Sequence, residues 1–151
     1  MKAVIIFLCA LYFSNSLISQ NFWAYTAGST KEDETMDICH DQSGHIISAG
    51  YIAGQTTFNT SPSIVLNPNS NGNPDIYVSK SNASGQIIWA VKAGGSGSDR
   101  ALSVKTDSNG NIYITGFYYG TATFGTITLT SVSGSQDGFL AKLDASGNFI
   151  W

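Results

Sequence analysis

The chain has 151 residues, with 7 Lys and Arg against 10 Asp and Glu for a net charge of −3, and 16 glycines among many Ser, Thr and Asn. Such a composition suits a soluble β-rich domain better than a helical one. A sequence pI near 5.0 and basic residues scattered singly leave no stripe to neutralise phosphates, so nucleic acid is not an expected partner.

The opening stretch, "MKAVIIFLCALYFSNSLISQ", combines Lys2, an apolar run from Ala3 to Phe13 and a small, polar tail. These are the three regions of a secretory signal peptide, which predicts a removed segment over 1–19 with cleavage near Ser19 or Gln20. The apolar run falls short of the roughly 20 residues that span a bilayer, so no membrane span is expected once the signal is gone. Bulky Phe7 and Leu8 before Cys9 argue against lipid attachment there. Removal of Cys9 would leave Cys39 alone and the mature chain without an internal disulfide.

Laid on itself, the chain repeats. Trp23, Gly28, Asp33, Asp41, Gly44, Gly50, Gly54 and Phe58 recur 66 residues later as Trp89, Gly94, Asp99, Asp107, Gly110, Gly116, Gly120 and Phe124. From Asp75 onward the offset is 62, pairing Asp75 with Asp137, Lys80 with Lys142, Gly85 with Gly147 and Trp89 with Trp151. Four residues are therefore missing between Phe124 and Asp137, as a surface loop tolerates.

Within each unit, "ALSVKTD", "NIYITGFYY", "DGFLAKLD" and "QIIWAVKAG" exemplify runs that alternate apolar and polar residues and read as four strands, with no helical period. Between strands one and two, and between three and four, lie "DQSGH" at 41, "NASGQ" at 82, "DSNGN" at 107 and "DASGN" at 144. Gly three positions after Asp or Asn suits a hairpin in which the side chain bonds the turn backbone and Gly takes positive φ. The repeated Asp41, Asp107 and Asp144 are thus read as turn residues. A calcium loop would need alternating ligands, Gly at the sixth position and a bidentate Glu at the twelfth, which these stretches lack.

Four-stranded units repeating at this spacing predict an all-β fold of β-propeller blades. The sequences "WAVKAGGSGSDRA", "DSNGNIYITG", "GTATFG" and "DGFLAKLDASGNFIW" together resemble the bacterial SBBP-type β-propeller repeat over nearly all of residues 22–151. That resemblance implies the fold and an exported, secreted or cell-surface bacterial location, and brings no shared catalytic residues. Residues 20–34 read as an N-terminal latch strand and loop, 35–93 as a first blade and 94–151 as a second blade cut within its last strand. Two blades leave the ring incomplete, so the natural chain is expected to continue past Trp151 or several copies to assemble. Trp23, Trp89 and Trp151 share one repeat position and read as blade-packing residues rather than a sugar platform.

The most concentrated polar cluster is "CHDQSGH". Cys39, His40, Asp41 and His45 are competent ligands for a zinc-like or copper-like site, but the second unit has Lys105, Thr106, Asp107 and Asn111 there, so solvated histidines at a hairpin end are the default. The run "KEDETMD" reads as an exposed loop leading into the first strand, with Asp33 and Asp99 bonding backbone at a blade entrance. "NTS" at 59 and "NAS" at 82 fit the glycosylation pattern only in a host with that machinery, which a bacterial resemblance does not imply. No Gly-x-Ser-x-Gly elbow and no convergent carboxylate pair is legible. "SGQIIW" and "SGNFIW" are similar to the tryptophan-docking repeats of quinoproteins and, more loosely, to sialidase Asp-boxes, both of them packing motifs.

The reading is a non-enzymatic, exported scaffold without cofactor, presenting loops such as Thr60 to Pro74 to a protein or glycan partner. Its rival is part of a glycan- or quinone-linked propeller enzyme whose site needs further blades. His, Arg or carboxylates in downstream blades at the channel-facing first strand, the position of Met36, Ile38, Leu102 and Val104, would favour the rival.

Overall fold

A computed structural model describes residues 24, 26–58, 63–69 and 72–151. The signal segment, Cys9, Trp23 and part of the loop from Thr60 to Pro74 lie outside the described residues. The fold is all-β and antiparallel, its sheets open rather than closed into a barrel.

The first unit is a meander of β2 (Asp33–His40), β3 (Ile46–Ile52), β6 (Asp75–Ser81) and β7 (Ile87–Gly95), each strand antiparallel to the next. The second repeats it with β8 (Arg100–Thr106), β9 (Ile112–Tyr119) and β12 (Gln136–Leu143). A fourth strand then begins on β12, with a Leu143 to Phe149 bridge and the Lys142 N–H donating to the Trp151 carbonyl at 2.7 Å.

The four turns are built alike. Oδ1 of Asp41, Asn82, Asp107 or Asp144 accepts the N–H groups two and four residues on at 2.8–3.0 Å. Gly44, Gly85, Gly110 and Gly147 follow at φ 77°, 79°, 78° and 87°, a region that β-carbon sterics close to most residues. Each Oδ1 is spent on its own turn, so the stretches act as side-chain-stapled hairpins.

Each unit also carries a hairpin that the strand pattern does not reveal. β4 (Thr56–Phe58) pairs with β5 (Ile64–Leu66), and β10 (Thr121–Phe124) with β11 (Ile127–Thr130). Neither hairpin joins the meander of its own unit. β10 pairs with the end of β7, Thr123 opposite Gly94, and β4 pairs in the same register with β1 (Ala27–Gly28), Thr57 opposite Gly28. β1 therefore stands to the first unit as β7 stands to the second, in the position of a preceding unit's fourth strand.

Phe58 and Phe124 plug these hairpins onto the sheets. Their rings lie 5.8 Å from Tyr77 and 4.8 Å from Phe139, and both are fully buried. The main core lies between the units, where Ile47, Ala49, Ile76 and Val78 meet Val104, Ile112, Ile114, Phe139 and Ala141. Alternation explains the choice, because one face of each strand points at the neighbouring blade.

Candidate functional site

The "CHDQSGH" cluster sits where β2 turns into β3. Asp41 is buried, its Oδ2 holding His45 Nδ1 and Lys80 Nζ, each at 2.9 Å, and its Oδ1 holding the Ser43 and His45 N–H groups. Burial works against its charge, yet the Lys80 ammonium and the His45 bonds hold its carboxyl well below the usual carboxylate range. His40 turns its ring to the Asp41 carbonyl at 3.2 Å, and its own carbonyl accepts the Thr106 hydroxyl at 2.9 Å. Burial pushes the Cys39 thiol up, which disfavours the thiolate a metal would need. Among the described residues no three His, Cys, Asp or Glu side chains converge. Cys39, His40, Asp41 and His45 are thus drawn into hairpin and strand contacts, with Lys80 on the carboxylate that would anchor a metal.

Lys80 lies 39 residues from Asp41 in sequence, and only the neighbouring of β3 and β6 unites them. Its counterpart Lys142 lies over the Tyr113 ring at 5.2 Å from the centroid, so this ion pair is not repeated.

Polar groups also stitch the blades together. Asp37 on β2 accepts from the Ser103 hydroxyl, the Val104 N–H and the Lys105 ammonium of β8 at 2.8–2.9 Å. The Lys105 bond, followed by those from Val104 and Ser103, keeps the Asp37 carboxyl well below its ordinary range. Asp33 and Asp99 do the same work at each blade's start. Asp33 accepts the Ser29 and Ala53 N–H groups at 2.6 and 2.9 Å, and Asp99 the corresponding Gly95 and Tyr119 N–H groups at 2.7 and 3.1 Å.

Trp89 spans the two units. Its indole N–H donates to the Ala145 carbonyl at 3.2 Å, and its ring lies so close to Gly147 that a β-carbon there would stand 3.0 Å away. The tryptophan of one blade therefore docks on the last turn of the next. Trp151, at the same repeat position, is half-exposed and meets Tyr113 edge-on at 6.2 Å. Because Trp89 is only partly buried, Trp89→Ala is expected to cost about 2–3 kcal/mol, below the loss for a fully buried ring. Chemical denaturation of the variant measures this, and unchanged stability would remove Trp89 from the joint.

β2 and β8 form the sheet edges that approach one another, and both carry a β-bulge, at Met36 and at Leu102. Bulges re-aim side chains, and these two stand 40% and 43% exposed. Val104, by contrast, is wholly buried between the blades, so it does not face a channel. Its counterpart Ile38 is 61% exposed and lines a cavity of about 460 Å³ with Ile46, Ser48, Ile52, Phe58 and Tyr77. The difference between Val104 and Ile38 is the presence of a blade in front of one and not of the other.

The blades, their repeated turns and the passing of each hairpin to the preceding unit's outer strand decide the architecture. The fold is propeller-like. No protein-family model matches the chain. Over an 83-residue alignment it is 32% identical to an uncharacterized WD repeat-containing protein of Acanthamoeba polyphaga mimivirus, covering 43% of this chain. The chain spans 6% of that relative's length. A repeat architecture of propeller blades, in which scaffold and interaction roles are common, is what likeness and fold have in common.

Proposed function

We propose that the chain is an exported segment of an SBBP-type β-propeller that serves as a structural or interaction scaffold, displaying its hairpin loops to a protein or glycan partner. One observation carries this reading: the conspicuous polar side chains are spent on joining strands and blades. Asp33, Asp37, Asp41 and Asp99 each hold backbone or lysine groups of a neighbouring segment. The bulges of the two approaching edge strands present Met36 and Leu102 rather than acids, bases or nucleophiles. The exposed face around Ile38 repeats the surface that the first blade covers on the second, which makes another unit of the same repeat its natural cover.

The test is made on the mature protein from its native source. A secreted or surface fraction, an N-terminus near Gln20 and a particle mass well above the 16.0 kDa of this chain are the expected results. An intact Met1 terminus in the cytoplasmic fraction would overturn export. A monomer no heavier than the 16.0 kDa of this chain would overturn completion of the ring by further blades. For the scaffold role, the native particle should retain a protein or glycan from the producing cell's surface. Turnover of an offered glycan would instead support the enzyme reading.

A further inference from the structure

At the seam between the two blades, two carboxyl groups are buried side by side. Asp75 opens β6, and Asp99 precedes β8; neither side chain reaches solvent. Gly94 passes between them so closely that a β-carbon on it would stand 2.8 Å from Asp75 Oδ1 and 2.8 Å from Asp99 Oδ2. The backbone ties them into one knot, since the Asp99 N–H donates to the Pro74 carbonyl at 2.8 Å.

Their partners are unequal. Both oxygens of Asp99 accept backbone N–H groups, from Gly95 and Tyr119. Asp75 Oδ2 accepts the Asn69 N–H at 2.6 Å and faces the Lys92 ammonium of β7 at 3.7 Å. Asp75 Oδ1, on the side of Gly94 and Asp99, has no hydrogen-bond partner among the described residues. Lys92 is shared with the Asn69 side-chain oxygen, and Asn69 in turn donates to the Gly94 carbonyl at 3.0 Å, so the lysine neutralises the pair only in part. From β8, Arg100 is turned away onto the Tyr51 ring, 4.2 Å from its centroid. Ile52, opposite Asp75 on β3, brings no charge.

An unpartnered carboxylate oxygen beside a second buried carboxylate is costly as an anion and satisfied as a hydroxyl. We propose that Asp75 and Asp99 form a proton-operated lock on the blade seam, in which uptake of one proton from solvent tightens the joint and its release loosens it. The proton converts the orphan acceptor into a donor facing Asp99 and removes one of two like charges. Burial, opposed by the Asn69 and Lys92 contacts and reinforced by Asp99, raises Asp75 to about 6, and burial raises Asp99 as well. A folded-state value above the unfolded one means stabilisation that is complete in acid and lost as pH rises through about 6. The device thus works in the mildly acidic range where unpaired carboxyl groups have already ionised.

The experiment is a carbon-detected NMR titration of the aspartate carboxyl groups in the full chain, with hydrogen exchange at the Asp99 and Tyr119 amides. Asp75 is expected to titrate near 6. After correction for intrinsic rates, both amides should exchange about tenfold more slowly near pH 5 than near pH 7.5. Asp75→Asn should abolish that pH dependence. Asp137→Asn, at the partly buried counterpart that accepts the Val132 N–H at 3.0 Å, should keep it. Should Asp75→Asn fail to fold, the titration of the unaltered protein still decides. Ionisation of Asp75 in the ordinary carboxyl range near 4, or exchange that ignores pH, would overturn the lock.

Discussion

Gly116→Ala is expected to destabilise the chain by about 3 kcal/mol or more, and Gly50→Ala by as much. Neither glycine is needed for its backbone angles; the constraint is space. A β-carbon on Gly116 would stand 1.9 Å from the Arg100 carbonyl oxygen, and one on Gly50 would stand 1.9 Å from that of Glu34. These are backbone atoms of the adjacent strand and cannot swing away like a side-chain tip. Gly50 faces Thr35 and Gly116 faces Ala101, immediately before the bulges at Met36 and Leu102. Relief of the clash must therefore pull the bulged strand from its sheet, and with it the strand that touches the other blade. Urea denaturation measures the loss. Gly138→Ala is the control, since a β-carbon there would meet only the Gly116 carbonyl at an ordinary 3.7 Å. Equal midpoints for Gly116→Ala and Gly138→Ala would show that the strands yield and that close approach at the bulge is not required.

Asp41→Ala is expected to cost about 3–5 kcal/mol, because it strands the Lys80 ammonium in a buried site. Asp107→Ala, which removes the same turn staple without a buried lysine, should cost distinctly less. The difference between the two variants isolates the buried ion pair from the turn. Replacing both partners, Asp41→Leu with Lys80→Met, should recover part of the loss, since the desolvated charges go together. The pH dependence has a fixed sign. The folded Asp41 carboxyl lies below its ordinary value, so its contribution is present above about pH 4 and fades as the pH falls and the carboxyl takes up a proton. It runs opposite to the behaviour expected of Asp75, and thermal melting of Asp41→Asn and Asp75→Asn against pH separates the two.

Local patterns were legible because their physics is local. An Asp or Asn that staples its own turn, with Gly three residues later, is complete within five residues, and all four such turns in "DQSGH", "NASGQ", "DSNGN" and "DASGN" form alike. Alternation over seven to nine residues likewise carries β2, β3, β6, β7 and their counterparts, because a sheet face needs only period two. The repeat also extended to function-like features: Asp33 and Asp99 take equivalent backbone partners 66 residues apart, as their matched positions imply.

What the strand pattern could not reveal is whatever depends on a distant partner. "TTF" and "TATF" are too short to announce strands, and they become strands by pairing with β1 and β7 of the preceding position. Lys80 joins Asp41 only because β6 lies beside β3, which turns four potential ligands around one turn into a clasp. Ile38 and Val104 are equivalent in sequence, yet one is exposed and the other sealed, since burial is decided by the neighbouring blade. Asp75 and Asp99 belong to different units and meet across Gly94, so their shared burial exists only at the seam. The repeating blade, its turns and its alternating faces are set by short-range backbone geometry and hydrophobic period, and so are written in the residues themselves. Which charges are paired, which are crowded and which faces remain open was decided by the packing of one blade against the next, where solvent is removed and the strength of every polar contact is reset.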